Sequence, residues 1–365
     1  MITDNNSEAF LELVRAGLWE KEARLSQFGK VDYEDIMRLA EEQSVVGLVT
    51  AGLEHVTDVK VPQEELLQFI GSTLQIEQQN QAMNEFLAGL IEKLREKDVY
   101  AILVKGQGIA QCYEKPLWRT SGDIDLLLSE DNYNASKAFL EPLADEVGGE
   151  NKVKKHLALV IKGFDVELHG RMPFGMSRRA DEVIDDVIHS SLKEGNVRSW
   201  QNNGIEVPLP SVNNDVIIVF THFLHHFFIE GVGLRQICDW CRLLWTYRAE
   251  LDLRLLESRI RQMGLTSEWK VFYHMATKYL GIPDLDSRLM VHDSRVDSKA
   301  ERVLKRVMKS GNFGHNNDLS YRSNYSGMMY KIVAAWRRFV DFSSLTPVFP
   351  MDAPRFFARY LVGKV

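Results

Sequence analysis

Cysteine is scarce in this chain of 365 residues, and long apolar runs are absent. The three cysteines, Cys112, Cys238 and Cys241, are too few for a disulfide framework and are typical of a reducing compartment. No apolar run approaches the roughly 18–20 residues that a membrane-spanning helix requires. The first residues include acids where a signal peptide would be basic. The sequence therefore predicts a cytoplasmic protein that has no membrane partner.

An excess of positive charge is also lacking. The chain carries 44 Lys and Arg against 51 Asp and Glu, which gives a formal net charge of −7 and a pI of about 5.9. Proteins that hold long nucleic acid usually need a basic surface that neutralises several phosphates. A local basic groove is still compatible with this total. The composition nevertheless favours a compact partner over long nucleic acid.

The length allows two or three packed units. In the first part of the chain, apolar residues recur at three- and four-residue spacing, which is typical of amphipathic helices. This spacing predicts helices at 8–18, 33–42 and 63–97. Polar side chains with catalytic chemistry are not clustered in this region, so its predicted role is structural support.

Between residues 99 and 170, short apolar runs replace the helical spacing. A lysine-glycine turn ends the first run, and Lys162-Gly163 joins the last two runs tightly, which is typical of a hairpin. The predicted strands are 100–104, 124–128, 156–162 and 164–169, and the predicted helices are 108–113 and 134–143.

The predicted fold class is α+β, with a small α/β unit flanked by helical regions on both sides. A polar stretch at 195–204 separates this unit from long, aromatic-rich helices that begin near residue 213. We therefore expect an N-terminal helical region at 1–97, an α/β domain at 98–205 and a C-terminal helical region at 206–365.

Two aspartates interrupt an otherwise apolar strand. Asp123 and Asp125 are two positions apart, so both side chains point to the same side of the strand. Neighbouring carboxylates in apolar surroundings repel each other and lose solvation unless positive charge compensates them. Because oxygen ligands suit Mg²⁺ and Mn²⁺, the pair predicts a divalent metal site. The alternative is a pair of exposed turn residues that precede the strand.

A lysine-glycine turn lies upstream, between the first predicted strand and the short helix. In Lys105-Gly106-Gln107-Gly108, backbone N–H groups and a lysine can hold phosphates where the helix begins. Arg119 adds a second cation four residues before the first aspartate. The turn alone is a weak signal, whereas the turn combined with the arginine and the aspartates is much more specific.

The segment at 102–128, ILVKGQGIAQCYEKPLWRTSGDIDLLL, resembles the DNA polymerase beta-type nucleotidyltransferase superfamily, in which a glycine turn precedes an Asp-hydrophobic-Asp strand. It is most similar to a bacterial branch of uncharacterised nucleotidyltransferases that has a lysine-glycine turn and an arginine ahead of Gly-Asp-Ile-Asp. The similarity spans roughly residues 30–250. The glycine-serine turn of the superfamily is Gly106-Gln107 here, so Lys105 is expected to replace the serine in holding the phosphates.

The resemblance implies a third carboxylate on a later strand, and the segment at 164–169, FDVELH, contains candidates. Asp165, Glu167 and His169 share one face of this strand. Because the branch has an acidic residue directly before Leu-His, Glu167 is the expected metal ligand and Asp165 the reserve. His169 would orient a carboxylate or contact the nucleotide. A structural hydrogen bond at the end of the strand is the alternative.

The resemblance implies metal-dependent transfer of a nucleoside monophosphate, with AMP as the expected group, from a nucleoside triphosphate to a hydroxyl of a small molecule, sugar or protein. It implies that Mg²⁺ or Mn²⁺ is held by the catalytic carboxylates Asp123, Asp125 and Glu167. The implied nucleotide contacts are Lys105, Gly106, Gln107, Arg119, Gly122 and His169. Two alternatives stay open: a non-catalytic nucleotide-binding protein that retains the fold, and a template-independent RNA nucleotidyl-adding enzyme.

Three histidines occur at helical spacing in the later helical region. His222 and His226 are four residues apart, which is the geometry of a metal pair on a helix, but they lack the glutamate of a metalloprotease motif. Their apolar neighbours favour histidines that lie in the core or face a partner. Since the similar branch carries histidines in this region, a contact with nucleotide or acceptor stays open for these two, and no role is predicted for His225.

Cys238 and Cys241 have CxxC spacing without a second pair of ligands, so buried thiols are favoured over a zinc site. Arg235 and Asp239 are four residues apart on the same predicted helix, and a surface ion pair is the expected arrangement. The resemblance alternatively makes Asp239 a neighbour of the active site.

Overall fold

The computed structural model of the protein describes residues 4–283, 285, 294–316 and 327–361. Its fold is a mixed α+β arrangement in which a small sheet is flanked by helical regions, as predicted. None of the helices in these ranges combines the length and the apolar character that crossing a bilayer requires. The division of the chain at 97/98 and 205/206 stays a prediction. One continuous apolar core contains side chains from all three predicted regions.

In the part of the chain that the structure describes, four α-helices precede the sheet. The side chains of Asp4 and Asp32 cap the first two by accepting hydrogen bonds from backbone N–H groups of the first turn. Helices α1 and α3 pack closely, because a Cβ at Gly17 would lie 2.0 Å from the carbonyl oxygen of Leu48. The four helices are α1 (Asn5–Trp19), α2 (Tyr33–Glu42), α3 (Val46–Leu53) and α4 (Gln63–Arg95).

The sheet has five strands. A short helix follows its first strand in the chain, and a longer helix follows its second. The elements are β1 (Ala101–Val104), α5 (Gly106–Ala110), β2 (Asp123–Leu128), α6 (Glu130–Leu140), β3 (Glu146–Val147), β4 (His156–Ile161) and β5 (Phe164–His169). Their order in the sheet is β1-β2-β5-β4-β3, in which β2 and β5 are parallel and every other pair is antiparallel. Strands β4 and β5 form the predicted hairpin, which turns at Lys162 and Gly163, both with positive φ.

The two faces of the sheet differ in character. Ile124 and Leu126 point to the face that packs against the C-terminal half of α4. Leu127 points to the other face and joins the main core. The parallel register of β2 and β5 places Asp125 directly beside Glu167 on this second face. The carboxylates therefore share the face that looks toward the later helices.

The chain after the sheet contains a helix, a two-stranded hairpin and a group of further helices. These are α7 (Arg178–Lys193), β6 (Val197–Asn202), β7 (Ile205–Pro210), α8 (Val212–Ile229), α9 (Leu234–Thr246), α10 (Leu253–Met263), α11 (Thr266–Leu280), α12 (Ser294–Ser310), α13 (Gly327–Leu345) and α14 (Asp352–Leu361). The sequence-based prediction contains neither α7 nor the hairpin of β6 and β7. The polar stretch at 195–204 is mostly β6 and its turn, where Asn203 and Gly204 both have positive φ, as a type I′ turn requires.

Aromatic side chains of α8 form the centre of the main core. Phe220, Phe223 and Phe227 are buried and contact rings of α9 and α11, among them Trp240 and Phe272. Truncation of a buried phenylalanine to alanine typically costs about 3–5 kcal/mol of stability. This packing fixes α8 and α9, and with them the polar side chains that these helices present to the sheet.

The carboxyl group of Glu268 is enclosed in this core. Glu268, in the first turn of α11, is fully buried, and its neighbour is Asp352 at the start of α14. Burial, and then repulsion from Asp352, raise the pKa of Glu268 well above its usual range. We therefore expect Glu268 to keep its proton at neutral pH.

We predict that Glu268→Gln changes how the free energy of unfolding depends on pH. The folded protein keeps a proton on Glu268 that the unfolded chain releases above the ordinary carboxyl pKa of 4.5. The stability from this group is therefore complete below pH 4.5 and is lost as the pH rises toward the raised pKa. Glutamine does not titrate, so the variant should gain roughly 1–3 kcal/mol relative to wild type as the pH rises.

Urea denaturation of both proteins at a series of pH values measures this difference. Glu257→Gln is the control, since Glu257 is exposed on α10. A stability difference between wild type and Glu268→Gln that stays constant with pH would contradict the raised pKa.

Candidate functional site

Three carboxylates lie together on the face of the sheet that looks toward α8 and α9. Asp123 and Asp125 belong to β2 and Glu167 to the parallel strand β5, and one carboxylate oxygen of each lies within 4.8 Å of the others. Asp125 is almost completely buried, and the other two are half-buried. Asp165 pairs with Asp123 in the register but is exposed and lies outside the cluster. The structure therefore brings Glu167, and not Asp165, to the two aspartates.

Lys105 directly follows β1 and places its ammonium group against this cluster. Its Nζ lies 2.9 Å from Asp125 Oδ1. Burial by itself would lower the pKa of Lys105, but the carboxylates of Asp125 and Asp123 raise it above its usual value, so the lysine stays charged. Lys105 and Gly106 both have positive φ, and a Cβ at Gly106 would lie 3.3 Å from the Asp123 carbonyl oxygen. The glycine thus lets the turn approach β2.

Two histidines, one on β4 and one on β5, contact the carboxylates. His169 Nε2 lies 2.7 Å from Asp125 Oδ1 and 3.3 Å from Glu167 Oε2. His156 Nε2 lies 3.0 Å from the same Glu167 oxygen. Hydrogen bonds with His156 and His169 hold the pKa of Glu167 well below its usual range. Burial would lower the pKa of His169, but its hydrogen bonds to both carboxylates raise it. The sequence-based prediction does not include His156.

The donor set of the cluster suits a divalent cation. Repulsion from Asp125, together with burial, raises the pKa of Asp123, which indicates that the surrounding positive charge is insufficient. Burial would raise the pKa of Asp125, but Lys105 and His169 lower it. The Oδ2 atom of Asp125 is buried and has no hydrogen-bond partner in the described part of the chain. Three carboxylates with one unsatisfied buried oxygen fit Mg²⁺ or Mn²⁺, which prefer oxygen ligands.

Arg119 forms a buried ion pair with Asp239 of α9. Arg119 Nη2 lies 2.7 Å from Asp239 Oδ2, and Arg119 Nε lies 2.8 Å from Oδ1. The Tyr113 hydroxyl donates a hydrogen bond of 2.9 Å to the same Oδ1. Burial would lower the pKa of Arg119, but Asp239 raises it. The expected surface pair of Arg235 and Asp239 is wrong, because Asp239 is buried and pairs with Arg119.

Arg235, one turn before Asp239 on α9, is another cation, and it is half-buried. Its Nη1 donates a hydrogen bond of 2.9 Å to the Thr120 carbonyl oxygen, and its Nε has no hydrogen-bond partner among the described residues. Burial, and then the neighbouring Arg119, lower the pKa of Arg235. Both guanidinium groups lie in the wall of the cavity that also contains Asp123. Arg235 therefore adds a cation to the site, whereas the sequence-based prediction placed it in a surface ion pair.

Gln107 is the predicted site residue whose side chain turns away from the carboxylates. It is buried, and its Nε2 donates to Asn80 Oδ1 at 2.9 Å and contacts Met83 Sδ at 3.2 Å, both in α4. The Asn80 amide in turn donates to the carbonyl oxygens of Leu117 and Arg119. The Gln107 side chain thus supports the loop that carries Arg119, and a contact between Gln107 and the nucleotide stays a prediction.

Two cavities meet at His222. The first, which we name the lysine cavity, includes in its lining Lys105, Gly106, Arg119, Gly122, Asp123 and Arg235. The second, which we name the histidine cavity, has a volume of about 270 Å³ and is lined in part by His156, His169, His222, His225 and His226. Lys105 Nζ lies 3.4 Å from His222 Nδ1, so these two residues stand between the cavities.

The histidines of α8 are half-buried at the wall of the histidine cavity. Burial, and then the charge of Lys105, hold the pKa of His222 well below its usual range. Burial, with a smaller effect of His226, lowers the pKa of His225 to about 4. His225 Nδ1 lies 2.9 Å from the Phe174 carbonyl oxygen, so the neutral ring donates there and keeps its lone pair on Nε2.

The CxxC pair lies inside α9. Cys238 and Cys241 are buried, and neither belongs to a group of three metal-ligating side chains within the described ranges. Burial raises the pKa of both thiols. This arrangement agrees with the prediction of buried thiols.

Comparison of the chain with known proteins identifies its family. No curated protein and no solved structure matches the chain. The family described as Uncharacterised nucleotidyltransferase matches at residues 29–281, which is more than half of the chain and includes the sheet, the lysine-glycine turn and helices α8 and α9. The protein therefore belongs to this uncharacterised nucleotidyltransferase family.

Proposed function

We propose that the protein transfers a nucleoside monophosphate, with AMP as the expected group, from a nucleoside triphosphate to a hydroxyl of a small molecule, sugar or protein. The observation that carries the proposal is the cluster of Asp123, Asp125 and Glu167 on adjacent parallel strands, with the charged Lys105 beside it. Membership of the family supports nucleotidyl transfer in general.

In this proposal the three carboxylates hold Mg²⁺ or Mn²⁺, which when bound neutralises phosphate charge and activates the acceptor hydroxyl. The phosphates occupy the lysine cavity. Lys105, Arg119 and Arg235 line this cavity and offer positive charge to phosphate oxygens, although Asp239 compensates the charge of Arg119. A Cβ at Gly122 would meet no atom within 4 Å, so the backbone before β2 is accessible from the cavity.

The histidine cavity is the proposed place of the acceptor. Its wall includes His169, which contacts Glu167, so a hydroxyl in this cavity would lie close to the carboxylates without occupying the lysine cavity. The neutral rings of His222 and His225 can accept hydrogen bonds from hydroxyl groups. Apolar side chains such as Phe174 complete the lining. A volume of about 270 Å³ suits a compact acceptor or the tip of a larger one.

The transfer joins the acceptor oxygen to the α-phosphorus, breaks the bond from that phosphorus to the bridging oxygen, and releases pyrophosphate and the hydroxyl proton. The contribution of the chain is orientation and electrostatics. Because Lys105 and His169 already fix Asp125, the carboxylate does not have to reorganise when the substrates bind.

We predict that Asp123→Asn abolishes metal-dependent triphosphate binding and turnover, because it removes charge and a ligand from the oxygen cluster. The loss of affinity should exceed about 100-fold, the upper range for residues that only support a metal ligand. Asp165→Asn is the matched control, since Asp165 pairs with Asp123 across the strands but is exposed. Titration calorimetry with each triphosphate and Mg²⁺ or Mn²⁺ measures affinity. Binding by Asp123→Asn that equals wild-type binding would exclude this metal site.

The identity of the third carboxylate yields a second prediction. Glu167→Gln should remove transfer activity, whereas Asp165→Asn should have a milder effect, because only Glu167 reaches the aspartates. The measurement is transfer of radiolabel from each triphosphate in a lysate of the source organism, with circular dichroism as the check on folding. A larger loss from Asp165→Asn would reverse the assignment.

The class of acceptor yields a third prediction. With a net charge of −7, the protein should show no measurable binding to generic single-stranded RNA or DNA at physiological ionic strength. Fluorescence anisotropy with labelled oligonucleotides at two salt concentrations tests this. Tight, salt-sensitive binding, or lengthening of an RNA 3′ end, would instead support the RNA nucleotidyl-adding alternative.

A further inference from the structure

We propose that His156, Glu167 and His169 form a second metal site, which binds a transition ion such as Zn²⁺ or Co²⁺ in preference to Mg²⁺. One nitrogen of each histidine and one oxygen of Glu167 lie within 4.8 Å of one another. The site goes beyond the proposed function, because an ion can bind these side chains whether or not the protein transfers nucleotides.

The sheet itself fixes the three side chains. His156 on β4 pairs directly with His169 in the antiparallel register, and Glu167 is two positions before His169 on the same face of β5. The histidine Nε2 atoms lie 3.0 and 3.3 Å from Glu167 Oε2. An ion bound to His169 Nε2 would replace the proton through which this nitrogen contacts Asp125 Oδ1. A tetrahedral ion with bonds of about 2.0–2.1 Å separates its ligands by about 3.3 Å. The nitrogen–oxygen distances therefore already approach those of a tetrahedral site.

The donor atoms select the kind of ion. Mg²⁺ prefers oxygen ligands in near-octahedral geometry, whereas imidazole nitrogens suit Zn²⁺ and other transition ions. Two histidines and a carboxylate also leave at least one coordination position open. Glu167 belongs both to this group and to the oxygen cluster of the aspartates, so its two oxygens can serve two ions. The two groups thus differ in chemistry although they share a residue.

The site opens onto the histidine cavity, because His156 and His169 are part of the wall of that cavity. A ligand from outside the protein can therefore reach an open coordination position. The volume of about 270 Å³ exceeds what a single ion and its water molecules need. An ion held here would face the molecule that occupies the cavity.

The competing explanation is that the two histidines only donate hydrogen bonds to the carboxylates. In that case they would stabilise the charge of Glu167 and bind no ion. His156→Gln separates the two explanations, since glutamine can donate a hydrogen bond to Glu167 but is a poor ligand for transition ions. His156 is the better position for this test than His169, which also contacts Asp125.

The experiment is a titration of the full-length, metal-free protein with Co²⁺ in the absence of nucleotide. Visible absorption bands of Co²⁺ report nitrogen ligation, and we expect them to saturate at one ion per chain. His156→Gln should weaken this binding by about 10-fold or more. Two controls should keep the bands. Asp123→Asn changes only the oxygen cluster, and His189→Gln changes an exposed histidine near Glu194.

Absence of Co²⁺ bands from the wild-type protein, or equal bands from wild type and His156→Gln, would overturn the second site in favour of hydrogen bonds alone. Equal losses in Asp123→Asn and His156→Gln would also overturn it, because they would indicate one joint centre. These readouts need no nucleotide, so a failure of this site and a failure of the proposed function can be told apart.

Discussion

Asp125 carries a carboxylate charge into a buried strand of the sheet, and the arrangement of the site follows from how that charge is compensated. An isolated ionised carboxylate in an apolar interior is so unfavourable that the group would normally become protonated. Lys105 and His169 both contact its Oδ1 atom, while Oδ2 has no protein partner in the described part of the chain. One side of the carboxylate is therefore neutralised by the protein, and the other is suited to a ligand from outside.

Helices that precede the sheet in the chain, and a helix that follows it, hold the loop that leads into β2 in place. Asn80 of α4 donates hydrogen bonds to two carbonyl oxygens of this loop, and Asp239 of α9 holds its arginine. Helix α3 approaches from a further direction, since a Cβ at Gly47 would lie 2.1 Å from the Trp118 carbonyl oxygen. The helical regions therefore do more than cover the sheet, because they determine where Arg119 and Arg235 lie.

Much of the fold could be predicted because periodicity is a local signal, whereas the contacts of the site depend on register and tertiary packing. Strand periodicity places Asp165 and Glu167 on one face, and each pairs with an aspartate of β2. The family resemblance, and not the periodicity, favours Glu167, whose side chain joins the cluster. His156 is absent from the predicted site, although the tight turn at Lys162-Gly163 fixes the register that pairs it with His169. Helical spacing favours an ion pair of Arg235 and Asp239, but burial of Asp239 beside a distant arginine overrides this local pair.

Lys105 occupies a backbone conformation, φ 60° and ψ −144°, that is otherwise almost confined to glycine. A residue with a side chain in this region costs on the order of 1–3 kcal/mol. Glycine at this position would relieve that cost but would leave the charge of Asp125 without its ammonium partner. The two effects have opposite signs at one residue. A change in stability measured there is consequently a difference between backbone strain and ion pairing, and it cannot be equated with the strength of either.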